Sequence, residues 1–259
     1  MSLRFASLGS GSKGNATVIQ WSGGTLLVDC GFSAKEAVSR LQRLGIDAAD
    51  LTAILVTHEH GDHIKGVAPL ARRFNLPVHM TAGTYHSTTF KNKMGELPDL
   101  HLIEGYQSFR FENLQVYPVA VPHDAREPCQ FIFQLHELRL GILTDLGCVS
   151  HHVETQFNDC DGLLVEANHD AMMLASGVYP PSLKQRVGGP WGHLNNSQTA
   201  LFLDAVDLPR LQHLVIAHIS QKNNTLELVQ QALAEIVDQV KSVTWACQEQ
   251  GFEWLELQP

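Results

Sequence analysis

The run His58-Glu59-His60-Gly61-Asp62-His63, which follows directly on the apolar stretch Ala53–Val56, constrains this chain more than any other feature. In an extended segment residues two apart point the same way, so His58 and His60 can grip one cation. As the chain turns into a helix, Asp62 and His63 face a second position close by. Imidazole and carboxylate suit zinc, manganese or iron, and two such cations roughly 3.5–4 Å apart can share a bridging hydroxide. A solvated polar loop would account for one histidine. It does not account for four ligating side chains in six positions at the end of a strand.

Two cations need more donors, and the chain offers them where other strands end. His123 follows Leu114–Val121 in Val-Pro-His-Asp, Asp145 stands in Leu-Thr-Asp-Leu-Gly, and His218 stands in Ile-Ala-His-Ile-Ser. The 14 histidines against 5 scattered cysteines (Cys30, Cys129, Cys148, Cys160, Cys247) point the same way. No CxxC pair exists, so buried free thiols are expected rather than a thiolate zinc site or a disulfide framework. A net charge of -9 argues against a broadly basic nucleic-acid surface. It does not exclude a nuclease, because a bound metal pair supplies positive charge locally.

Hydrophobic patterning interleaves strands and helices along the whole length. Strands are expected at Arg4–Leu8, Ala16–Gln20, Thr25–Asp29, Ala53–Thr57 and Pro77–Thr81. An antiparallel meander is expected from Ser108–Glu112, Leu114–Val121, Cys129–His136 and Arg139–Thr144, with further strands at Gly162–Glu166, Leu214–Ile219, 242–246 and 252–257. Helices are expected over Ser33–Leu44, His63–Phe74, 168–177, 196–206 and Leu226–Val240, with Ser33 as an N-cap. The Gly- and Pro-rich stretch Ser176–Gly192 reads as a loop over a site. No linker divides the chain, so one domain over 1–259 is expected. No run of about 18 apolar residues suggests a transmembrane helix, and Met1–Phe5 enters a strand pattern without a signal-peptide core, which makes a cytoplasmic location the default.

Taken in order, Asp29 in Leu-Val-Asp-Cys-Gly, the His58–His63 run, His123, Asp145 and His218 resemble the metallo-β-lactamase superfamily over nearly the entire chain. The opening Ser7-Leu-Gly-Ser-Gly-Ser-Lys-Gly-Asn15 and the closing His218-Ile-Ser-Gln-Lys-Asn-Asn-Thr225 look more narrowly like its YycJ/WalJ group, regarded as metal-dependent nucleases or phosphodiesterases. The resemblance implies an αββα sandwich, an α/β fold with the metals at one edge of its two sheets. It also implies two divalent cations, zinc or manganese with iron as a further candidate. His58, His60 and His123 would hold one cation, Asp62, His63 and His218 the other, and Asp145 would bridge. Asp29 would orient the histidine loop through hydrogen bonds. Asp62 would also serve catalysis beside the bridging hydroxide.

A carboxylate at 145 is typical of the phosphodiesterase, glyoxalase II-like and lactonase branches, so the family name implies no β-lactamase activity here. Glu166 in Leu-Val-Glu-Ala-Asn-His-Asp and His193 in Gly-His-Leu-Asn-Asn resemble the added acidic and histidine motifs of the nucleic-acid-processing branch. An imidazole there would stabilise charge on a phosphoryl group or protonate the leaving oxygen, with Glu166 orienting it. About 26 residues separate the two, too few for the large domain that many such nucleases insert. The Gly9–Asn15 loop reads either as a hairpin turn or as a phosphate-facing set of amides and side chains (Ser10, Ser12, Lys13, Asn15). Asn223 and Asn224 read either as turn residues or as helix-cap groups before Leu226, and are further candidates for substrate contact. The expected partner is a nucleic acid, DNA attacked from a 5′ end being one form, or a small phosphodiester. Alternatives are a thioester or lactone hydrolase on the same scaffold, a redox di-iron protein, and a non-catalytic metal-binding accessory. Oligomeric state is left open.

Overall fold

Strand alternation sorts the apolar residues into three layers. On β1 (Leu3–Gly9), Leu3 and Phe5 face one way while Ala6 and Leu8 face the other. On β9 (Cys129–Leu135), Phe131 and Phe133 join Phe5 between two sheets, while Ile132 points outward. All three phenylalanines are fully buried, each contributing about 1.5–3 kcal/mol by area removed from water. The computed structural model, which describes residues 2–259, is therefore an αββα sandwich.

The first sheet runs in the order β14 (Phe252–Leu257), β1, β2 (Ala16–Trp21), β3 (Gly24–Val28), β4 (Ala53–Leu55), β5 (Pro77–Thr81), β6 (Asp99–Ile103). It is antiparallel up to β3 and parallel from β3 to β6. The second sheet mirrors this mixture. Its order is β13 (Val243–Trp245), β12 (His213–Ala217), β11 (Gly162–Glu166), β10 (Leu138–Leu143), β9, β8 (Leu114–Ala120), β7 (Phe109–Phe111). Strands β10 to β13 are parallel, and β7 to β10 form the expected antiparallel meander.

Helices cover both outer faces. Ala34–Arg43 starts at Ser33, whose Oγ accepts from Glu36 N–H, and buries Ala37 and Leu41 against the first sheet. Asn196–Asp204 opens on a capping box between Asn195 and Gln198 and packs Phe202 and Leu203 on the second.

Several expectations need correction. The helix expected over His63–Phe74 is two, Gly61–Ile64 and Val67–Phe74, separated at Gly66. An added Cβ at Gly66 would lie 2.3 Å from Phe32 O. The helix expected over Leu226–Val240 breaks at Leu233 into Leu226–Ala232 and Ala234–Val237. The loop over Ser176–Gly192 contains the helix Pro181–Val187, with proline at its first turn. The helices Ala82–His86, Thr88–Met94 and His151–Phe157 and the strand β6 had no counterpart in the sequence reading.

Candidate metal centre

Six strands run out toward one edge of the sandwich. β3 delivers Asp29, β4 the histidine run, β8 His123, β10 Asp145, β11 Glu166 and β12 His218. Asp29, Asp145 and His218 each adopt a left-handed backbone conformation, with φ of 60°, 56° and 51°. For an L-residue this costs about 1–2 kcal/mol. Three such residues at one edge mark a place where side-chain aim outranks backbone comfort.

Hydrogen bonds fix which nitrogen each histidine presents. Thr57 N–H and Oγ–H donate to the two oxygens of Asp29, at 2.9 and 2.7 Å. With its hydrogen committed there, Thr57 Oγ accepts from His58 Nδ1–H at 2.9 Å. His63 Nδ1–H donates directly to Asp29 Oδ2 at 2.8 Å. Asp29 thus turns Nε2 of both His58 and His63 into the cluster, where His63 Nε2 also lies 3.2 Å from Asn15 Nδ2. His123 does the same through Nδ1–H donated to Gly192 O at 3.0 Å.

The free nitrogens converge. His60 Nδ1 lies 3.1 Å from His58 Nε2 and 3.2 Å from His123 Nε2. His63 Nε2 lies 3.7 Å from Asp62 Oδ2 and 3.4 Å from Asp145 Oδ2, and His218 Nε2 lies 4.0 Å from Asp62 Oδ2. Donor atoms of three triads (His58, His60, His123; Asp62, His63, His218; His58, His63, Asp145) fall within 4.8 Å of one another. The third triad takes one histidine from each of the others and adds Asp145. Asp145 Oδ2 is buried without a hydrogen-bond partner, and His218 Nδ1 lies 3.2 Å from Asp145 Oδ1 and 3.4 Å from Glu166 Oε2. An all-nitrogen-and-oxygen set with an orphaned buried carboxylate oxygen fits a divalent metal.

The charges in the cluster are interlocked. Burial, then the neighbouring His63, holds His58 well below the usual imidazole range. Burial takes His123 down to about 4. Burial alone would also lower His218, but Asp145 and Glu166 beside it outweigh this and lift it to about 10. Asp145 is held well below the carboxylate range because His218 and His63 overcome the cost of its burial.

Glu166 is fully buried, and its Oε1 accepts from the backbone N–H of Leu146 and Leu194, both at 3.0 Å. Its Oε2 accepts His193 Nδ1–H at 3.0 Å. Burial alone would raise Glu166, but His193 and His218 bring it down to about 2. His193 is part-exposed on a cleft of about 350 Å³ that Asp62, Asp145, Ser12, Asp124 and Arg186 also line. The structure therefore brings all seven expected ligands, Asp29, Glu166 and His193 into one connected group.

The weaker expectations divide. Ser12 lines the cleft. Ser10 and Asn15 are buried: Gly11 N–H donates to Asn15 Oδ1 at 2.8 Å, while Asn15 Nδ2 lies 3.2 Å from His63 Nε2 in the cluster, and His218 N–H donates to Ser10 Oγ at 2.9 Å. Lys13 is exposed, its N–H on Gln248 Oε1 at 2.7 Å. Asn223 and Asn224 are buried behind the site, where Asn224 exchanges amide bonds with Asn196 at 3.0 and 2.8 Å. That burial corrects their expected contact with substrate. The sequence reading missed Thr57, Asp124 and Arg186. Asp124 Oδ1 lies 3.4 Å from His123 Nε2 and 3.7 Å from His60 Nε2, and its other oxygen pairs with Arg186. Its place beside His123 in Val-Pro-His-Asp was the one available signal.

A family model described as a beta-lactamase superfamily domain matches residues 25–219. The exodeoxyribonuclease YycJ of Bacillus anthracis is 34% identical over 241 residues, covering 92% of this chain and 90% of that protein. The exodeoxyribonuclease WalJ of Streptococcus pneumoniae is 34% identical over 227 residues, covering 87% and 84%. The crystal structure of the metallo-beta-lactamase fold protein YhfI from Bacillus subtilis superposes with a TM-score of 0.72 over 99% of this chain and 100% of that one, at 17% identity, a likeness of fold. The chain belongs to the metallo-β-lactamase superfamily, and within it to the YycJ/WalJ group.

Proposed function

We propose that this protein is a dinuclear-metal phosphodiesterase of the nuclease type, acting on a nucleic acid, with exonucleolytic attack on DNA as the leading case. The observation that carries the reading is the Glu166–His193 pair, set on the same cleft as the ligand cluster. The similar proteins named exodeoxyribonucleases support the substrate class. His58, His60 and His123 would hold one cation and Asp62, His63 and His218 the second, with Asp145 between them. Zinc and manganese are the first candidates and iron the third, given imidazole and carboxylate donors without thiolate. When bound, the cations supply an activated water nucleophile and draw charge from a phosphoryl oxygen.

The chain's own groups do the rest. Glu166 accepts from Nδ1–H of His193 and so leaves the ring's Nε2 to serve the substrate. From there His193 stabilises developing charge or donates a proton to the leaving oxygen. Among the described residues lining the cleft, Arg186 is the only lysine or arginine, and an entering phosphate would meet it there. The proposal takes residues 1–259 as one domain, because β14 pairs with β1 and closes the first sheet. Among the described residues no helix is long and apolar enough to cross a membrane. The proposed location is the cytoplasm, consistent with five unpaired cysteines.

The test combines metal quantification with assays on single- and double-stranded DNA and RNA carrying defined 5′ ends. Asp62→Ala and Asp145→Ala should abolish turnover, and undiminished activity in either removes the proposal. His193→Ala should lower kcat about 10²–10⁴-fold with metal content retained. A His193→Ala variant with full thioesterase or lactonase activity would favour that chemistry instead.

A further inference from the structure

His218 is the first residue past β12, and the ladder with β11 ends at the pair Glu166–Ala217. Along β12, Leu214 and Ile216 face the outer helices while Val215 and Ala217 face between the sheets. Continued in extended form, residue 218 would share the outward face of Leu214 and Ile216. The left-handed turn at His218 (φ 51°) breaks that alternation and brings its ring to Asp145, Glu166 and Asp62. Beyond the ladder, the peptide groups of His218 need other partners.

Two buried side chains supply them, one from each sheet. Ser10 follows β1 in the first sheet, and its Oγ accepts His218 N–H at 2.9 Å. Asn168 follows β11 in the second, and its Nδ2–H donates to His218 O at 3.1 Å. Ser10 is 6% exposed and Asn168 7%, and neither lines the cleft. Asn168 is itself held on both sides, its N–H donating to Leu194 O at 3.0 Å and its O accepting from Ser220 N–H at 2.9 Å. We infer that Ser10 and Asn168 are positioning residues that clamp the backbone of His218 in its left-handed conformation and thereby set the metal affinity of the site His218 serves. The inference rests on the reading of His218 as a metal ligand and reassigns Ser10 from substrate to ligand control.

Both partners are side chains, so the clamp can be removed without altering a metal donor or a cleft residue. Zinc affinity of the full-length protein, measured by competition with a chromophoric chelator, should split into two equivalents. Ser10→Ala and Asn168→Ala should each weaken one equivalent about 10–100-fold, the range for groups that orient a ligand, and leave the other within twofold. The same variants loaded with cobalt(II) should show an altered d–d spectrum. Ser10→Thr, which keeps the acceptor, should restore affinity and spectrum. Asn168→Asp, of equal size but with oxygen facing the His218 carbonyl, should weaken binding at least as much as alanine.

His218→Ala is the reference. If it weakens one equivalent while Ser10→Ala and Asn168→Ala do not, the clamp is overturned and the ligand assignment stands. If His218→Ala changes nothing, both fall. Failure of Ser10→Ala and Asn168→Ala to fold, or loss of both equivalents together without rescue by Ser10→Thr, also overturns the inference, because the two residues would then support the whole fold. Since no nuclease substrate enters these measurements, they are independent of whether the phosphodiesterase reading holds.

Discussion

At the scale of single residues, Arg186 is the proposed contact for substrate. It sits on the helix Pro181–Val187, none of whose residues is buried, and pairs with Asp124 at the cleft. The cleft also holds Asp62 and Asp145, so three carboxylates face an anionic substrate. Bound metal offsets two of them, and Arg186 offsets Asp124 until a phosphate competes for its guanidinium. Arg186→Glu should therefore raise KM for an oligonucleotide by about tenfold or more, the worth of one charged hydrogen bond, with kcat little changed. Arg186→Lys should recover part of it, since a point charge replaces the planar fork. Steady-state kinetics decide this, and an unchanged KM in Arg186→Glu removes Arg186 from substrate recognition. The seven residues that the structure gathers into the cluster were legible in the sequence because metal-binding side chains are few in type, and those types recur where apolar runs stop. Thr57, Asn168 and Arg186 were not, because their roles depend on where a hydroxyl, an amide or a guanidinium points, which no spacing encodes.

Among elements, the loop after β3 holds the histidine run in place. Asn15 N–H donates to Asp62 O at 2.8 Å, Cys30 N–H to His63 O at 2.7 Å, and Gly31 N–H to Asn15 O at 2.9 Å. A Cβ on Gly31 would stand 1.7 Å from Asp62 O, so the backbones touch there and no side chain fits. Gly31→Ala should cost about 1–3 kcal/mol and displace Asp62 and His63 enough to reduce bound metal. Gly61→Ala is the control within the motif itself, for nothing lies within 4 Å of an added Cβ there. Melting temperature and metal content would settle it, and equal behaviour of the two variants would contradict the packing argument. The same contrast explains which elements could be read in advance. Pro77–Thr81, Gly162–Glu166 and 252–257 were found to the residue, since strands facing a core carry an apolar signature. Ala82–His86, Thr88–Met94 and His151–Phe157 are five to seven residues long, too short for a helical period to show. They start at Thr81, Ser87 and Ser150, whose hydroxyls cap them locally. β6 was missed because it is an edge strand with Asp99, His101 and Leu102 exposed.

For the whole molecule, the cluster at the sandwich edge makes stability depend on pH and metal together. His218 rises from its ordinary 6.5 to about 10, because Asp145 and Glu166 overcome its burial. His63 is likewise raised, burial being outweighed by Asp145 and Asp29. A raised imidazole contributes stability that is complete below pH 6.5 and lost as pH climbs toward the folded value. His58, His79, His123 and His169 work in the opposite sense. Burial lowers all four, the last three to about 4, so their contribution is complete above pH 6.5 and lost as pH falls. Glu166, at about 2 against its ordinary 4.5, contributes above 4.5 and is lost only as pH falls toward 2. The metal-free protein should thus be most stable near pH 6.5 and lose stability on both sides. Bound metal takes the place of protons on the imidazoles, so its affinity grows with pH and should cancel the alkaline loss. Melting temperatures from pH 5 to 8.5, in chelator and in excess zinc or manganese, test this below the range where the buried Cys30 and Cys160 thiols, raised by burial from 9.0 to about 12, begin to matter. The metal-free curve should fall from pH 6.5 to 8.5 while the metal-loaded curve rises or holds. Parallel curves would mean that the metal leaves the protonation of His63 and His218 untouched, and neither could then be a ligand.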